Sequence, residues 1–252
     1  MILRAKNHLP ALESFSRRVW ILLGLGFAGL MGNYVVYAKA LQHSSPRIAQ
    51  TVGQLGPMFL LFGGLIVFHE HFSGLQWIGF GVLLSGLVLF FNNRLSELSH
   101  LAAGLGLGVV LLIAASLLWT VYGLAQKGLL VWLGGQQILF LIYIGSVVVL
   151  FPWTTLGNVR HLTALQLSML VFCCINTLAA YGAFAEGLKH WEVSRFGVVL
   201  ATSPLFTVLS MSLVERFLPN LVAPEHLNLL SLMGTFLVVF VSPTCALARR
   251  VE

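Results

Sequence analysis

Apolar residues fill most of the chain in long runs, and polar residues are gathered in the short segments between them. A helix needs about 20 apolar residues to cross the roughly 30 Å hydrocarbon core of a bilayer. Eight runs approach or exceed that length, at residues 19–41, 46–68, 75–91, 103–126, 136–156, 165–188, 194–214 and 227–247. The pattern therefore predicts an all-α fold, a polytopic membrane helical bundle with eight transmembrane helices and no separate soluble domain.

The amino-acid composition is that of a chain embedded in a lipid bilayer. Hydrophobic residues make up 58% of it and charged residues only 9%, whereas soluble domains carry about 25% charged residues. The 14 Lys and Arg residues give a net charge of +6 but are scattered singly, so they form no basic patch and predict no nucleic-acid partner. The three cysteines, Cys173, Cys174 and Cys245, lie in apolar runs, without the spacing of a disulfide framework or a metal site.

Lys and Arg residues in the connecting segments predict the orientation, because they are enriched on the cytoplasmic side. With the N-terminus inside, nine of them lie on the inner side and five on the outer side. The inner ones are Arg4, Lys6, Arg17, Arg18, Lys127, Lys189, Arg195, Arg249 and Arg250, and the outer ones are Lys39, Arg47, Arg94, Arg160 and Arg216. This distribution favours a multi-pass inner-membrane protein with both termini in the cytoplasm.

An internal repeat relates the two parts of the chain. A shift of 147 residues superposes seven identical positions, and the pairs are Tyr34/Tyr181, Ala38/Ala185, Leu41/Leu188, His43/His190, Val52/Val199, Pro57/Pro204 and Phe59/Phe206. The shift maps the first three predicted helices onto the sixth, seventh and eighth. Corresponding helices are five spans apart, an odd number, so the two copies cross the membrane in opposite directions. Inverted repeats of this kind are typical of secondary transporters.

Short motifs in both copies resemble the repeat of EamA-type transporters, which belong to the drug/metabolite transporter superfamily. In the first copy they are residues 37–42, 56–59, 70 and 76–79, and in the second copy residues 181, 187–188, 203–206, 215 and 234. The resemblance implies inverted five-helix repeats, ten helices in all, with both termini cytoplasmic. Against that plan we expect residues 1–98 to form an N-terminally incomplete first repeat of three helices, lacking the first two of the usual ten. We expect residues 99–252 to form a second repeat of five.

Polar and aromatic side chains that share helical faces are the candidate substrate-binding residues. Polar groups at membrane depth are costly unless they face a cavity or a partner. The candidates are Asn33, Tyr34, Tyr37, Gln54, Trp119, Thr120, Asn176, Tyr181 and Ser203. Pro57 adds to them by freeing a backbone carbonyl one turn earlier.

Each of these residue types has a plainer interpretation. Ser and Thr side chains commonly hydrogen-bond to neighbouring helices, and Tyr and Trp form interfacial belts. The amides favour the cavity, because a buried amide is costlier to leave without a partner.

Glu186 is the candidate for ion coupling, since carboxylates within spans often relay protons. The alternative is that it lies close enough to a helix end for its charge to reach the interface. The sequence around His69, Glu70 and His71 lacks the four-residue histidine spacing of a zinc protease helix. It predicts a solvated turn and no metal site.

The sequence thus predicts a secondary transporter that moves a small organic metabolite by alternating access, with export of an amino acid or a related compound as the leading form. No catalytic constellation and no phosphate-binding loop is visible, which predicts no enzymatic activity and no cofactor. Two alternatives stay open: a lipid-linked or nucleotide-sugar carrier, and a truncated or accessory membrane subunit without independent transport. The expected partners of the chain are a small-molecule substrate and the lipid bilayer, and a homodimer stays open as its assembly.

Overall fold

The computed structural model describes residues 15–44, 46–90, 106–153, 157, 162–203, 206, 210, 229–230 and 233–234. Eight α-helices and one short 3-10 helix, Phe151–Trp153, are defined there. The α-helices are α1 Arg17–Leu41, α2 Pro46–Gly53, α3 Leu55–Val67, α4 Gly74–Phe90, α5 Gly106–Leu129, α6 Gly135–Leu150, α7 Ala164–His190 and α8 Val193–Leu200. These ranges contain no β-strand.

Long apolar helices dominate the described part of the chain. Four helical stretches are long and apolar enough to cross a bilayer, namely Arg17–Leu41, Ile48–Val67, Gly106–Leu129 and Ala164–His190. Within the described residues the first six runs predicted from the sequence are helical, apart from the turn at Gln54 and the last residue of the second run, and the seventh begins with α8. Most of its remainder and most of the eighth run lie outside the described residues. The chain is a helical membrane protein, and the count of eight spans stays a prediction.

The second predicted run is a broken helix. α2 ends at Gly53, Gln54 forms a turn, and α3 begins at Leu55. The N–H of Gln54 donates to the carbonyl of Thr51 over 3.3 Å, a tighter i to i−3 pattern. Pro57 has no N–H, so the carbonyl of Gly53 lacks the donor that the fourth residue along a continuous helix supplies. The helix therefore breaks one turn before the proline.

The chain divides into two compact units, residues 1–32 with 121–191, and residues 33–120 with 192–252. In the first unit, glycines bring α1, α5 and α6 close together. Gly26 faces Ile142, and Gly145 faces the ring of Phe27. A β-carbon added at either glycine would lie 3.4 Å from the side chain that it faces. Small residues of this kind let helix backbones approach closely, which is the usual basis of helix packing in membranes.

A lysine caps the C-terminus of α7 within the first unit. The ammonium of Lys127, near the end of α5, donates to the carbonyls of Leu188 at 2.6 Å and Trp191 at 2.7 Å. The last carbonyls of a helix lack intrahelical donors and carry a partial negative charge. Lys127 satisfies two carbonyls at this end and supplies a matching positive charge.

The second unit has an apolar core formed by the end of α1, α2 and α5, with Ala40, Ile48, Ala49, Val52 and Leu112 buried in it. Its closest helix pair is α3 with α8. A β-carbon on Gly197 of α8 would lie only 2.8 Å from the carbonyl oxygen of Pro57 and 3.0 Å from the N atom of Leu61. Gly64 of α3 comes equally close to Ser194. The two helices therefore touch backbone to backbone.

A carboxylate closes the far end of this helix pair. After α3 the chain turns at His69, which has a φ of 50°, and Glu70 points back towards α8. Its two oxygens accept hydrogen bonds from the N–H groups of Val193 and Ser194, each at 2.8 Å. Free N–H groups and a positive partial charge make a helix N-terminus a good partner for a carboxylate. Glu70 thereby joins the end of α3 to the beginning of α8.

Candidate functional site

The second unit contains a cavity of about 350 Å³ at the break between α2 and α3. Four segments contribute to its wall: the second half of α1, the α2–α3 break, the first half of α5, and the end of α8 with the turn after it. The described lining residues are Asn33, Tyr34, Tyr37, Gly53, Gln54, Gly56, Pro57, Leu112, Ala115, Ser116, Trp119, Leu200 and Ser203. Six of the nine predicted substrate-binding residues therefore share one cavity.

Asn33 is held in place by α5. Its Nδ2 donates to the carbonyl of Ala115 over 2.9 Å, a contact between residues 82 positions apart in sequence. A carbonyl can only accept, so this bond assigns the amide nitrogen to α5. The amide oxygen Oδ1 is then the atom of Asn33 that a solute can use.

Gln54 lies in the turn between α2 and α3. Its Nε2 donates to the carbonyl of Gln50 over 3.5 Å, which again assigns the nitrogen to the backbone and directs the oxygen away from it. The Oε1 atom is buried and has no hydrogen-bond partner within the described residues. Buried acceptors normally have a partner, and a bound molecule whose donor reaches this oxygen would supply one.

Two hydroxyl groups on α5 donate to backbone carbonyls beside the cavity. Thr120 donates to the carbonyl of Ser116 at 2.9 Å and lies 3.4 Å from the carbonyl of Gly56. Ser116 itself donates to the carbonyl of Leu112 at 3.0 Å. Thr120 is not among the lining residues of the cavity. Its hydroxyl instead connects α5 to Gly56, the residue before Pro57 in the first turn of α3.

Aromatic side chains supply the broad surfaces of the cavity. Tyr34 and Tyr37 lie on α1, with 36% and 39% of their surface exposed, and Trp119 lies on α5. Gly56 packs against Trp119, and a β-carbon at position 56 would lie 3.3 Å from the Cε3 atom of the indole ring. The glycine allows the ring to lie against the helix break.

The described lining residues include no Asp, Glu, Lys, Arg or His. Amide oxygens, hydroxyls, backbone groups and aromatic rings are what the cavity offers. Such a wall is suited to a small organic solute that has an apolar body and polar groups placed at a few points.

The remaining predicted residues lie in the first unit. Asn176 is exposed on α7. Tyr181 packs with its ring centroid 5.5 Å from that of Tyr122, and Phe184 completes this aromatic cluster. Glu186 is exposed and contacts two neighbours on its own helix, His190 at 2.8 Å and Lys189 at 3.7 Å. Substrate binding by Asn176 and Tyr181, and ion coupling by Glu186, stay predictions.

Two contributors to this region are backbone groups that a search for polar side chains does not find. Gly53 and Gly56 line the cavity with main-chain atoms. The sequence signal for them was Pro57, which predicts a freed carbonyl one turn before it.

Comparisons with known proteins agree on one family. The chain matches the EamA-like transporter family over residues 2–92 and 106–240. It is 37% identical over 251 residues to the uncharacterized inner membrane transporter YhbE of Escherichia coli strain K12. The aligned residues cover 99% of this chain and 78% of that relative. An uncharacterized transporter of Haemophilus influenzae is 37% identical over 238 residues, covering 94% of this chain and 77% of the relative.

A solved crystal structure of a protein shares the fold, with a TM-score of 0.67 and 18% sequence identity, over 91% of this chain and 79% of that one. The family match covers most of the chain and both curated relatives are similar over nearly its whole length. The EamA resemblance of the repeat motifs is confirmed, and this chain belongs to the EamA-like transporter family.

Proposed function

We propose that this chain is an inner-membrane secondary transporter that moves a small organic solute, an amino acid or a related compound, through the cavity at the α2–α3 break. The observation that carries the proposal is the composition of that cavity. Amides anchored by backbone carbonyls, three large aromatic rings and an uncharged wall meet at one place. Export by alternating access is the form of transport that we propose.

The inverted-repeat construction receives support from the two short helices. The 147-residue shift maps α2, Pro46–Gly53, onto α8, Val193–Leu200, and both end in a turn. It also maps Gly53 onto Leu200 and Gly56 onto Ser203, and all four line the cavity. Discontinuous helices in equivalent positions of two repeats mark the substrate site in many secondary transporters. We propose that residues 1–98 and 99–252 are the two repeats and that both termini are cytoplasmic.

A phosphate-bearing solute, such as a nucleotide sugar or a lipid-linked sugar, fits the cavity less well. Phosphate recognition in proteins relies on Arg and Lys side chains or on arrays of N–H groups. The described lining residues contain no cation. Amide and phenol groups favour a neutral or zwitterionic solute instead.

Transport by the purified full chain in lipid vesicles tests the proposal. We expect efflux and uptake of labelled amino acids above that of empty vesicles, with a clear loss in Asn33→Ala and Trp119→Ala. Ser85→Ala is the matched control, because Ser85 is exposed on α4 and its hydroxyl donates to the carbonyl of Gly81 on its own helix. Unchanged flux in both cavity variants would remove the basis of the cavity assignment.

The same vesicles address the alternative of an accessory subunit and the direction of transport. Flux that appears only after a second membrane protein is added would favour the accessory role. Comparison of inside-out with right-side-out vesicles measures the direction, and faster accumulation in inside-out vesicles is the result expected for an exporter.

A further inference from the structure

The cavity wall at the α2–α3 break consists of hydrogen-bond acceptors. Gln54 turns its nitrogen to the carbonyl of Gln50, so its buried and unpartnered Oε1 remains for a ligand within the described part of the chain. Asn33 turns its nitrogen to the carbonyl of Ala115, which leaves Oδ1. In both amides a backbone carbonyl therefore binds the side-chain nitrogen, and the side-chain oxygen is the atom left to accept a hydrogen bond from a ligand.

The helix break adds a third oxygen. Gly53 lines the cavity and has no side chain, so the groups that it presents are backbone atoms. Its carbonyl lacks the usual helical donor because residue 57 is proline. Gly53 is also the last residue of α2, and the C-terminal end of a helix carries a partial negative charge. Unwound carbonyls at such half-helix ends are known to coordinate cations in transporters.

Aromatic faces complete a surface that favours positive charge. Tyr34, Tyr37 and Trp119 line the same cavity. The face of an aromatic ring is electron-rich and attracts ammonium groups. Neither a Lys nor an Arg side chain occurs among the described lining residues to compete for these oxygens and rings.

We propose that the α2–α3 break is an ammonium-binding subsite, so that the solute carries a primary ammonium group. An –NH3⁺ group has three donors and no acceptor, which matches Gln54 Oε1, Asn33 Oδ1 and the Gly53 carbonyl. The solute body lies against the aromatic rings. This inference rests on the proposed function and deepens it, because it identifies the group that the cavity recognises.

Binding of matched probes to the purified full chain in lipid nanodiscs tests the subsite. The labelled probe is phenethylamine, and the competitors are N-acetylphenethylamine, which has lost its charge, and 3-phenylpropionate, which carries the opposite charge. We expect saturable phenethylamine binding and competition by both analogues that is at least about tenfold weaker, because hydrogen bonds to a charged group are the strong ones. Equal competition by the acetylated analogue, or no saturable binding of phenethylamine, would overturn the subsite.

Substitutions at the α2–α3 break should raise the affinity for phenethylamine in one variant and lower it in others. Gln54→Glu gives up the 3.5 Å bond from Nε2 to the Gln50 carbonyl but keeps the shape of the side chain and adds a negative charge. It should tighten phenethylamine binding about tenfold or more, whereas Gln54→Met should weaken it by a similar factor. Pro57→Ala restores an N–H for the Gly53 carbonyl and should weaken binding without changing any polar side chain. Gln50→Glu is the control, because it adds the same charge one turn away at a residue outside the cavity lining. Equal tightening in Gln50→Glu and Gln54→Glu contradicts the proposal.

Vesicle transport separates this inference from the proposed function. Flux that does not discriminate between the amine and its acetylated form overturns the ammonium subsite and leaves the transporter proposal intact. Saturable amine binding without flux of any labelled solute supports the subsite and counts against transport by the isolated chain.

Discussion

The carboxylate of Glu70 accepts a hydrogen bond from the backbone N–H of Ser194 at 2.8 Å, across 124 positions of sequence. Its second oxygen binds the N–H of Val193 at the same distance. Gly64 makes this approach feasible, because a β-carbon there would lie 2.6 Å from the Glu70 carboxylate and 2.7 Å from the Ser194 N atom. The end of α3 and the beginning of α8 are therefore joined by a bidentate cap as well as by close backbone packing.

Replacement of Glu70 by Ala should lower the free energy of unfolding by about 1–3 kcal/mol, since two charge-assisted hydrogen bonds to helix N–H groups are lost. Thermal unfolding in detergent measures the change. Glu192→Gln is the matched control, because Glu192 precedes the same helix, makes no side-chain cap and pairs with Arg195 at a partly exposed position. Such a pair contributes about 0–1 kcal/mol. Equal destabilisation by the two substitutions would contradict the capping role.

The α3–α8 contact should tolerate no added atom. In Gly197→Ala the new methyl group meets the Pro57 carbonyl at 2.8 Å and Leu61 at 3.0 Å, so the helices must move apart. We expect about 1–3 kcal/mol of destabilisation, measured as the shift of the unfolding midpoint. Because Pro57 also lines the cavity, solute binding should weaken in the same variant.

Gly81→Ala serves as the control for this substitution. Gly81 lies on α4, and a β-carbon there has no neighbour within 4 Å. Alanine favours helix more than glycine by about 1 kcal/mol, so this variant should be neutral or stabilised. A Gly197→Ala protein as stable as Gly81→Ala would show that the two helices can separate freely.

How far the sequence led to this arrangement can be judged from particular residues. The first six helical runs, within the described residues, and the presence of Asn33 and Gln54 at a cavity were predictable, because apolar length and the cost of a buried amide are local properties. Pro57 likewise signals a break in the second run. The cap of Glu70 on α8 was not predictable, because nothing in residues 69–71 tells which helix end, 123 positions away, receives the carboxylate. The sequence suggested only a solvated turn there.

Lys127 offers a test in the first unit. Replacing it with Met keeps the apolar stem and removes the ammonium, which binds the carbonyls of Leu188 and Trp191. We expect a loss of about 1–3 kcal/mol in unfolding free energy. Lys189→Met is the comparison, because Lys189 lies near the same helix end but is 54% exposed and pairs with Glu186 on its own helix at 3.7 Å. Its loss should cost less than about 1 kcal/mol, and a cost equal to that of Lys127→Met would contradict the cap.

Thr120 connects the α5 wall to the helix break, and its hydroxyl can be removed at almost constant volume. Thr120→Val loses the bond to Ser116 at 2.9 Å and the longer one to Gly56 at 3.4 Å, while Thr120→Ser retains the hydroxyl. Because Gly56 packs against Trp119, releasing its carbonyl should loosen the cavity wall. We expect the free energy of unfolding of Thr120→Val to be about 1 kcal/mol lower than that of the unchanged protein, and we expect the variant to bind solute more weakly. Thr120→Ser should bind solute more strongly than Thr120→Val, because serine keeps the hydroxyl that reaches Ser116 and Gly56. A serine variant as impaired as the valine variant would contradict the role of the hydroxyl.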